Sequence, residues 1–480
     1  METKTKLVVC CDGTSKSEYL SEKKSPLTNV SRISRAIHQF DGECRQIVLY
    51  LPGIGTDEGN RFNLLNQGLG VGLNSQIKEA YTFLRHNYRA EAKDDIILIG
   101  FSRGAFAVRC IIDLVLTKGL LYKNYLHLVP NLFQEWINSR ERSPFGEEPE
   151  VPESQNKKFE VRKANIEVCA LWDSVNAVGF PGTQLLGRGK PKMSFVDSVL
   201  PEGVKHAFQA LSLFEHRFNF HPLVLRRRNG DNGELQQCWL PGYHSDIGGG
   251  NDKEALAQFA LAWMIQKLKR FLSIEVSGFW YGRDSQVTWV LPDADDLKIP
   301  DPYYRFTGVA AGSSHRTPRL DFWNPQDIYH EDPRTLVQGL SDNGDFSQER
   351  MHPVVRCMFQ QGWLKGHFSA CQSLRNGSLE ETRFNRWVWN LEAPPAVIQW
   401  MGRMGNIPSS ALPYREKYNL WEDEFNEEEM TMLKGWAQNE HEKLLQSRLT
   451  EIGAEEPNTI LVPFQVWVEK ELERAAGFNQ

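Results

Sequence analysis

The sequence predicts an α/β fold, with a mostly parallel sheet flanked by helices and a helical to irregular C-terminal extension. Three observations carry this. Short, nearly continuous apolar runs alternate with helical segments over residues 1–250, a polar and glycine-rich stretch follows each run, and the texture changes after about residue 275. Strands covered on both faces read as continuous apolar runs because neither side meets water. The β-α-β-α alternation is that of a parallel sheet, whose ligand sites lie at the carboxyl ends of the strands.

The predicted strands are Lys6–Cys11 (KLVVCC), Gln46–Leu51 (QIVLYL), Ile96–Phe101 (IILIGF), Ile166–Trp172 (IEVCALW) and Gln236–Leu240 (QQCWL). Between them, Asn29–Phe40, Leu73–Tyr88 and Gly104–Leu121 space apolar residues three or four apart, which is the helical period. Glu254–Phe271 is an amphipathic helix after the last strand. The stretch Lys205–Pro222 (KHAFQALSLFEHRFNFHP) reads as helix-like, and its His206, His216 and His221 as structural.

Residues 138–160 are rich in Pro and charge and read as a surface insertion, not a boundary. Beyond 275 the chain is rich in Trp, Pro, Arg and Asn until helical signal returns at Glu422–Ile452 and Gln465–Ala476. The expected organisation is a catalytic core over 1–274 and a C-terminal cap or extension over 275–480, packed on it.

Composition bounds the function. The 480 residues are 41% hydrophobic and 24% charged, as in ordinary globular proteins, and the net charge of -6 offers no basic excess for nucleic acid. The opening apolar run ends at Asp12 after five residues, too short for a signal-peptide core. No segment approaches the roughly 18–20 apolar residues of a membrane span, so membrane contact would be peripheral and the expected compartment is the cytosol. The eight cysteines include no C-x-x-C pair and read as small core residues in a reducing compartment.

The chemistry-bearing stretch is IILIGFSRGAFAVRCII, Ile96–Ile112, where Gly100, Ser102 and Gly104 form G-x-S-x-G between a strand and a helix. In a nucleophile elbow the serine sits on a strained turn, so residues two positions away must be small. The following helix aims its free N–H groups at the serine oxygen, which favours an oxyanion. A serine needs a base to take its proton, and the base needs a carboxylate to fix its tautomer. Asp173 ends one later strand (WDSVNAVG) and His244 follows another (PGYHSDIGGG), in the chain order Ser, Asp, His. His352 is the rival base and Asp246 the rival acid, although an acid two residues from the histidine rarely reaches the correct ring nitrogen.

Oxyanion donors are expected from the backbone N–H of Arg103, after the nucleophile, and of Gly13 or Thr14 in the CDGT loop. Asp12, Asp246 and Arg109 are candidates for substrate binding or support, and Arg103 and Arg109 are cations that either meet a substrate phosphate or carboxylate or pair with nearby acids. The phosphatase pattern D-x-D-G-T fails because Cys10 stands where its nucleophilic aspartate belongs. GLGVGL at Gly68–Leu73 does not directly follow a strand, so nucleotide binding is not expected. Asp12, Asp173 and Asp246 could converge on a metal ion, but so few ligands neither predict nor exclude a site; none is assigned, and no cofactor is expected.

Taken in order, CCDGT, YLPGIGT, GFSRGAFAVR, LWDSVNAVG and WLPGYHSDIGGG resemble an α/β-hydrolase family long labelled a domain of unknown function. Its bacterial members include phospholipase effectors of type VI secretion, and it is widespread in fungi. The resemblance spans about residues 5–270 and implies a Ser-Asp-His hydrolase of ester bonds, with acyl lipids or phospholipids as substrates and Ser102, Asp173 and His244 in the catalytic roles. The chain departs from the pattern at Asn176, where glycine commonly follows D-[ST]-V, and at Phe214, where an acid is expected before Glu215. Beyond 275, notably RMHPVVR, it resembles the fungal members, so secretion as a toxin is not implied. The competing classes are a non-catalytic descendant that binds protein through its Trp-rich C-terminal region, and a hydrolase of thioesters or amides.

Overall fold

The strand order of the main sheet places the chain's loops. In the computed structural model, which describes residues 3–13, 27–53, 70–142, 160–175, most of 193–275, Arg316, 348–360, 378–381, 387–392, 417–423 and Glu429, the strands are β1 (Thr5–Cys11), β2 (Phe40–Asp41), β3 (Cys44–Leu51), β4 (Asp95–Phe101), β7 (Ile166–Trp172), β8 (Val204–Ser212), β9 (Glu234–Leu240) and β10 (Glu349–Met351). They form one eight-stranded sheet in the order β10-β9-β8-β7-β4-β1-β3-β2, and the short strands β5 (Leu120–Leu121) and β6 (Val161–Arg162) pair with each other apart from it. Within the eight-stranded sheet only the β2–β3 pair is antiparallel. From β1 the chain first builds toward β3, then crosses to β4 on the other side, so the topological switch lies between β1 and β4. A crevice opens at the carboxyl ends there, because the crossing helices leave to opposite faces.

The helices among the described residues are α1 (Asn29–Ala36), α2 (Gly70–Asn87), α3 (Arg103–Lys118), α4 (Val129–Arg142), α5 (His244–Gly248), α6 (Ala255–Lys269) and α7 (Pro353–Gln360). Alternate side chains of each central strand enter opposite cores. Leu7, Val9 and Cys11 of β1 join a cluster with Ile77 and Tyr81 of α2, Phe106 and Ile111 of α3 and Trp136 of α4. Val8 and Cys10 join the other, with Val30 and Ile33 of α1 and Phe259, Trp263 and Ile265 of α6. The expected α/β class with a mostly parallel sheet is therefore what the chain adopts, and all five predicted strands are present, β7 with the predicted bounds and the other four slightly longer.

One element differs in kind. Residues 204–212, read as helix-like, form β8 between β7 and β9. Both faces of this strand are buried, Ala207 facing one core and Phe208 and Ala210 the other. Its apolar residues therefore imitate a three-to-four spacing that carries no helical meaning. His206 lies on it, 2.6 Å from Glu234 Oε2 of β9, while His216 lies beyond it with Nδ1 3.1 Å from the carbonyl of Phe214.

Helix α4 runs into the start of the predicted insertion, and residues 143–159 lie outside the described residues. The edge strand β10 comes from beyond residue 274, so the expected core and extension share one sheet. Past it, β11 (Ser378–Glu381), β12 (Trp387–Glu392) and β13 (Lys417–Trp421) make a small antiparallel sheet, joined to the main one by a bridge between Glu422 and Met351. Apart from Glu422, Asp423 and Glu429, the helices predicted at Glu422–Ile452 and Gln465–Ala476 lie outside the described residues. Among the described residues no helix is long and apolar enough to cross a membrane.

Candidate active site

Ser102 caps α3 in a backbone conformation rare for a residue with a side chain, φ 58° and ψ -124°. Such a turn stores strain on the order of 1–3 kcal/mol and persists only where neighbours enforce it. Its N–H donates to the Trp172 carbonyl of β7 at 3.0 Å. The flanking glycines are steric requirements. A β-carbon on Gly104 would lie 2.3 Å from the Cys11 carbonyl oxygen, and one on Gly100 would lie 2.7 Å from Ala105 Cα. The Ser102 side chain makes no capping bond to the first turn of its own helix, so Oγ is turned elsewhere.

It faces His244. Nε2 of His244 lies 2.7 Å from Ser102 Oγ, and Nδ1 lies 2.6 Å from Asp173 Oδ2. A carboxylate can only accept, so the Nδ1 proton points at Asp173 and the Nε2 lone pair is left for the hydroxyl proton. The imidazole is wedged between the rings of Phe101 and Phe220, at centroid distances of 4.8 and 4.7 Å. Its short helix α5 is fixed from two sides. The Asn29 amide donates to the carbonyls of Ile247 in α5 and Ala257 in α6, each at 2.9 Å, and Gly248 lies against Phe101 so closely that a β-carbon there would lie 2.0 Å from the ring.

The strand ends bring these groups together. Phe101 of β4 is in register with Trp172 of β7, and Trp172 with Ala210 of β8, so the residues that follow emerge side by side. Asp173, fully buried and itself at φ 41°, accepts from the Ser212 N–H at 3.0 Å and the Ser212 hydroxyl at 3.2 Å. It also accepts from the guanidinium of Arg316, Nη1 to Oδ1 at 2.5 Å and Nη2 to Oδ2 at 3.1 Å. Burial alone would raise the Asp173 pKa. The Arg316 charge and the His244 contact outweigh it and hold the carboxyl far below its usual range, hence ionised. Burial also lowers His244 below its usual value, although the Asp173 contact opposes the shift, so the resting imidazole is neutral.

The other predicted residues separate from this group. Asp12 Oδ2 accepts from the Thr28 hydroxyl and the Tyr50 hydroxyl, each at 2.6 Å, and Oδ1 accepts from the Gly13 N–H at 2.6 Å. The Gly13 donor is therefore directed at a carboxylate in this state, although Gly13 borders Ser102: a β-carbon on it would lie 3.4 Å from Ser102 Cβ. Thr14 lies outside the described residues. Arg103 heads α3, and burial lowers its guanidinium to about 10. Arg109 is buried two turns along the same helix, with no surface to offer a substrate.

Asp246 accepts from the Tyr243 N–H at 2.8 Å and the Asn251 amide at 2.9 Å, pointing away from the imidazole nitrogens. His352 is also removed from the group, its Nε2 2.6 Å from Glu429 Oε1 and its Nδ1 accepting from the Val354 N–H. The three aspartates Asp12, Asp173 and Asp246 each have separate partners, and among the described residues no cluster of three or more His, Cys, Asp or Glu is placed to hold a metal. Arg316 is the residue of this group that the sequence does not point to. It carries no local motif, and only the fold brings it to a residue 143 positions away.

A curated relative, the uncharacterized protein YEL023C of Saccharomyces cerevisiae, is 29% identical over 201 residues, covering 37% of this chain and 28% of its own length. The solved structure of the Tle1 effector bound to the VgrG spike of the type 6 secretion system is similar at 19% identity over 52% of each chain, with a TM-score of 0.32. An uncharacterized protein from Pseudomonas aeruginosa is similar at 15% identity over 95% of this chain and 68% of its own, with a TM-score of 0.34. The chain thus spans less than a third of the yeast relative's length and about half of the Tle1 effector chain. The profile of the type VI secretion phospholipase effector Tle1-like catalytic domain matches residues 5–267, more than half of the chain and including Ser102, Asp173 and His244, and the chain belongs to that family.

Proposed function

We propose that this protein is a serine hydrolase that cleaves carboxylic ester bonds of acyl lipids, phospholipids foremost, through an acyl-enzyme on Ser102. The carrying observation is the two-contact relay from Ser102 Oγ to His244 Nε2 and from His244 Nδ1 to Asp173. As Oγ attacks the acyl carbonyl, its proton passes to Nε2, and the carbonyl oxygen takes the negative charge. The imidazolium then gives that proton to the alcohol oxygen as the carbonyl re-forms and the substrate's C–O ester bond breaks, leaving the acyl group on Ser102. Water then attacks the ester, again losing a proton to Nε2, and the carboxylic acid leaves with Ser102 restored.

The oxyanion is assigned to the Arg103 N–H at the start of α3, where the helix dipole adds to the donor. Gly13 supplies the second donor once its N–H turns from Asp12. The lipid substrate class rests on family membership, and membrane contact is assigned to a peripheral approach. Residues 275–480 are assigned as an extension that shapes acyl-chain and head-group selection.

The test is labelling by a fluorophosphonate probe alongside hydrolysis of a panel of phospholipids, neutral acylglycerols, thioesters and amides. The reading expects labelling of the wild type, none of Ser102→Ala, and the fastest turnover on a phospholipid ester. A folded wild type that neither labels nor hydrolyses would leave the fold as a binding scaffold, and turnover confined to thioesters or amides would replace the substrate class.

A further inference from the structure

We propose that Arg316, from the C-terminal extension, is a positioning residue of the acyl-transfer site that fixes the carboxylate orienting His244. This rests on the Ser102, His244 and Asp173 reading. Arg316 is 1% exposed and grips both oxygens of Asp173 in a fork. The same two nitrogens donate to the carbonyl of Ser212, Nη1 at 2.9 Å, and to that of Phe220, Nη2 at 2.5 Å.

Each of those partners touches the relay a second time. Ser212 donates its N–H and hydroxyl to Asp173, and the ring of Phe220 packs on the His244 imidazole at 4.7 Å. One planar group therefore holds the acid, the strand end beside the acid and the aromatic flank of the base. A planar guanidinium matches such a set of acceptors, whereas a lysine ammonium offers a point charge without the fork.

Arg316 also sets the charge balance. His244 faces Asp173 at the end of β7, Glu215 and Arg217 after β8, Asp246 on its own helix, and Arg316 across the shared carboxylate. Glu215 is satisfied by Arg217, with Nη2 at 2.6 Å, so Arg316 is the cation on Asp173 itself. With it, Asp173 stays ionised while its pull on an imidazolium is shared. Without it, the buried carboxylate keeps its Ser212 donors but loses its cation, and its charge favours the protonated imidazole. Because Arg316 lies beyond residues 5–267, the extension takes part in the chemistry of the domain matched by the family profile.

The experiment compares full-length wild type, Arg316→Met and Arg316→Lys by the pH dependence of fluorophosphonate inactivation and of ester hydrolysis. Arg316→Met is expected to lose rate on the order of 100-fold and to move the acid limb upward by about one pH unit. Arg316→Lys is expected to lose rate while keeping the acid limb of the wild type. If Arg316→Met is too unstable to assay, Arg316→Gln, which keeps amide donors without the charge, takes its place with the same expectation. An unmoved acid limb in the neutral variant, or the same displacement in Arg316→Lys, would overturn the proposal. Imidazole titration of His244 by NMR, in Ser102→Ala with and without Arg316→Met, reads the same coupling without turnover. It therefore separates failure of this role from failure of the hydrolase reading.

Discussion

Gly104 and Cys11 are in backbone contact: a methyl group on Gly104 would lie 2.3 Å from the Cys11 carbonyl oxygen and 2.5 Å from that of Asp12. The obstruction is main chain at the end of β1, so no side-chain rotation relieves it. Gly104→Ala must push α3 away from β1, and with it the Ser102 turn. The expected cost is about 1–3 kcal/mol of stability, together with loss of fluorophosphonate labelling under conditions where the variant is still folded by circular dichroism. Labelling at the wild-type rate would show that the elbow does not depend on this contact.

The relay distances and the isolation of His352 make opposite predictions for two histidines. His244→Ala is expected to abolish acyl-ester hydrolysis without loss of fold. Asp173→Asn, which permits the wrong imidazole tautomer, is expected to lower kcat on the order of 10⁴-fold. His352→Ala removes one side of a fully buried pair with Glu429 and is expected to cost about 3–5 kcal/mol while the folded fraction keeps its kcat. Activity measured per folded molecule decides between them. Loss of kcat in His352→Ala but not in His244→Ala would reassign the base.

These residues differ in how legible they were before the fold was known. Ser102 announced itself because a strained turn demands small residues at Gly100 and Gly104. Asp173 and His244 followed because a parallel sheet aligns its strand ends, so a polar residue after each apolar run lands on the same edge. The remaining long strand of the sheet, β8, is hidden because Lys205, His206 and Gln209 break its apolar run, leaving neither a continuous run nor a period of two. Arg316 stayed hidden because an ion pair between distant residues leaves no spacing to detect. The Gly13 donor fell between these cases. Its place beside Ser102 follows from β1 and β4 being neighbours, but the Asp12 carboxylate that engages its N–H is a side-chain choice that strand order does not dictate.

In the proposed hydrolase, the neutral resting state of His244 sets the acid limb of catalysis. Its pKa is lowered from the usual 6.5, chiefly by burial and despite the Asp173 contact. The base must be unprotonated to accept the Ser102 proton, so kcat/KM is expected to rise with pH through a value below 6.5 and to be level at neutral pH. A pH–rate profile on a soluble ester, whose own chemistry does not titrate in this range, gives the value. An acid limb above 6.5 would mean that the Asp173 carboxylate, not burial, dominates the imidazole.

Asp246 predicts a second pH effect, on stability. Burial raises its carboxyl to about 6 from 3.8, with the Tyr243 N–H and the Asn251 amide opposing the shift. A carboxyl whose folded value lies above its unfolded one binds more protons in the native state. Its stabilising contribution is therefore full below pH 3.8 and is lost as pH rises through about 6, a change of about 3 kcal/mol in all. Asp246→Asn does not titrate and escapes that loss, whatever fixed cost it incurs from replacing one accepting oxygen with a donor. The Tm of the variant relative to wild type is expected to climb between pH 4 and pH 7, because the wild type alone must ionise a buried acid over that range. His244 and Asp173 titrate in both proteins and cancel in the difference, so a flat difference would place the Asp246 carboxyl in contact with solvent.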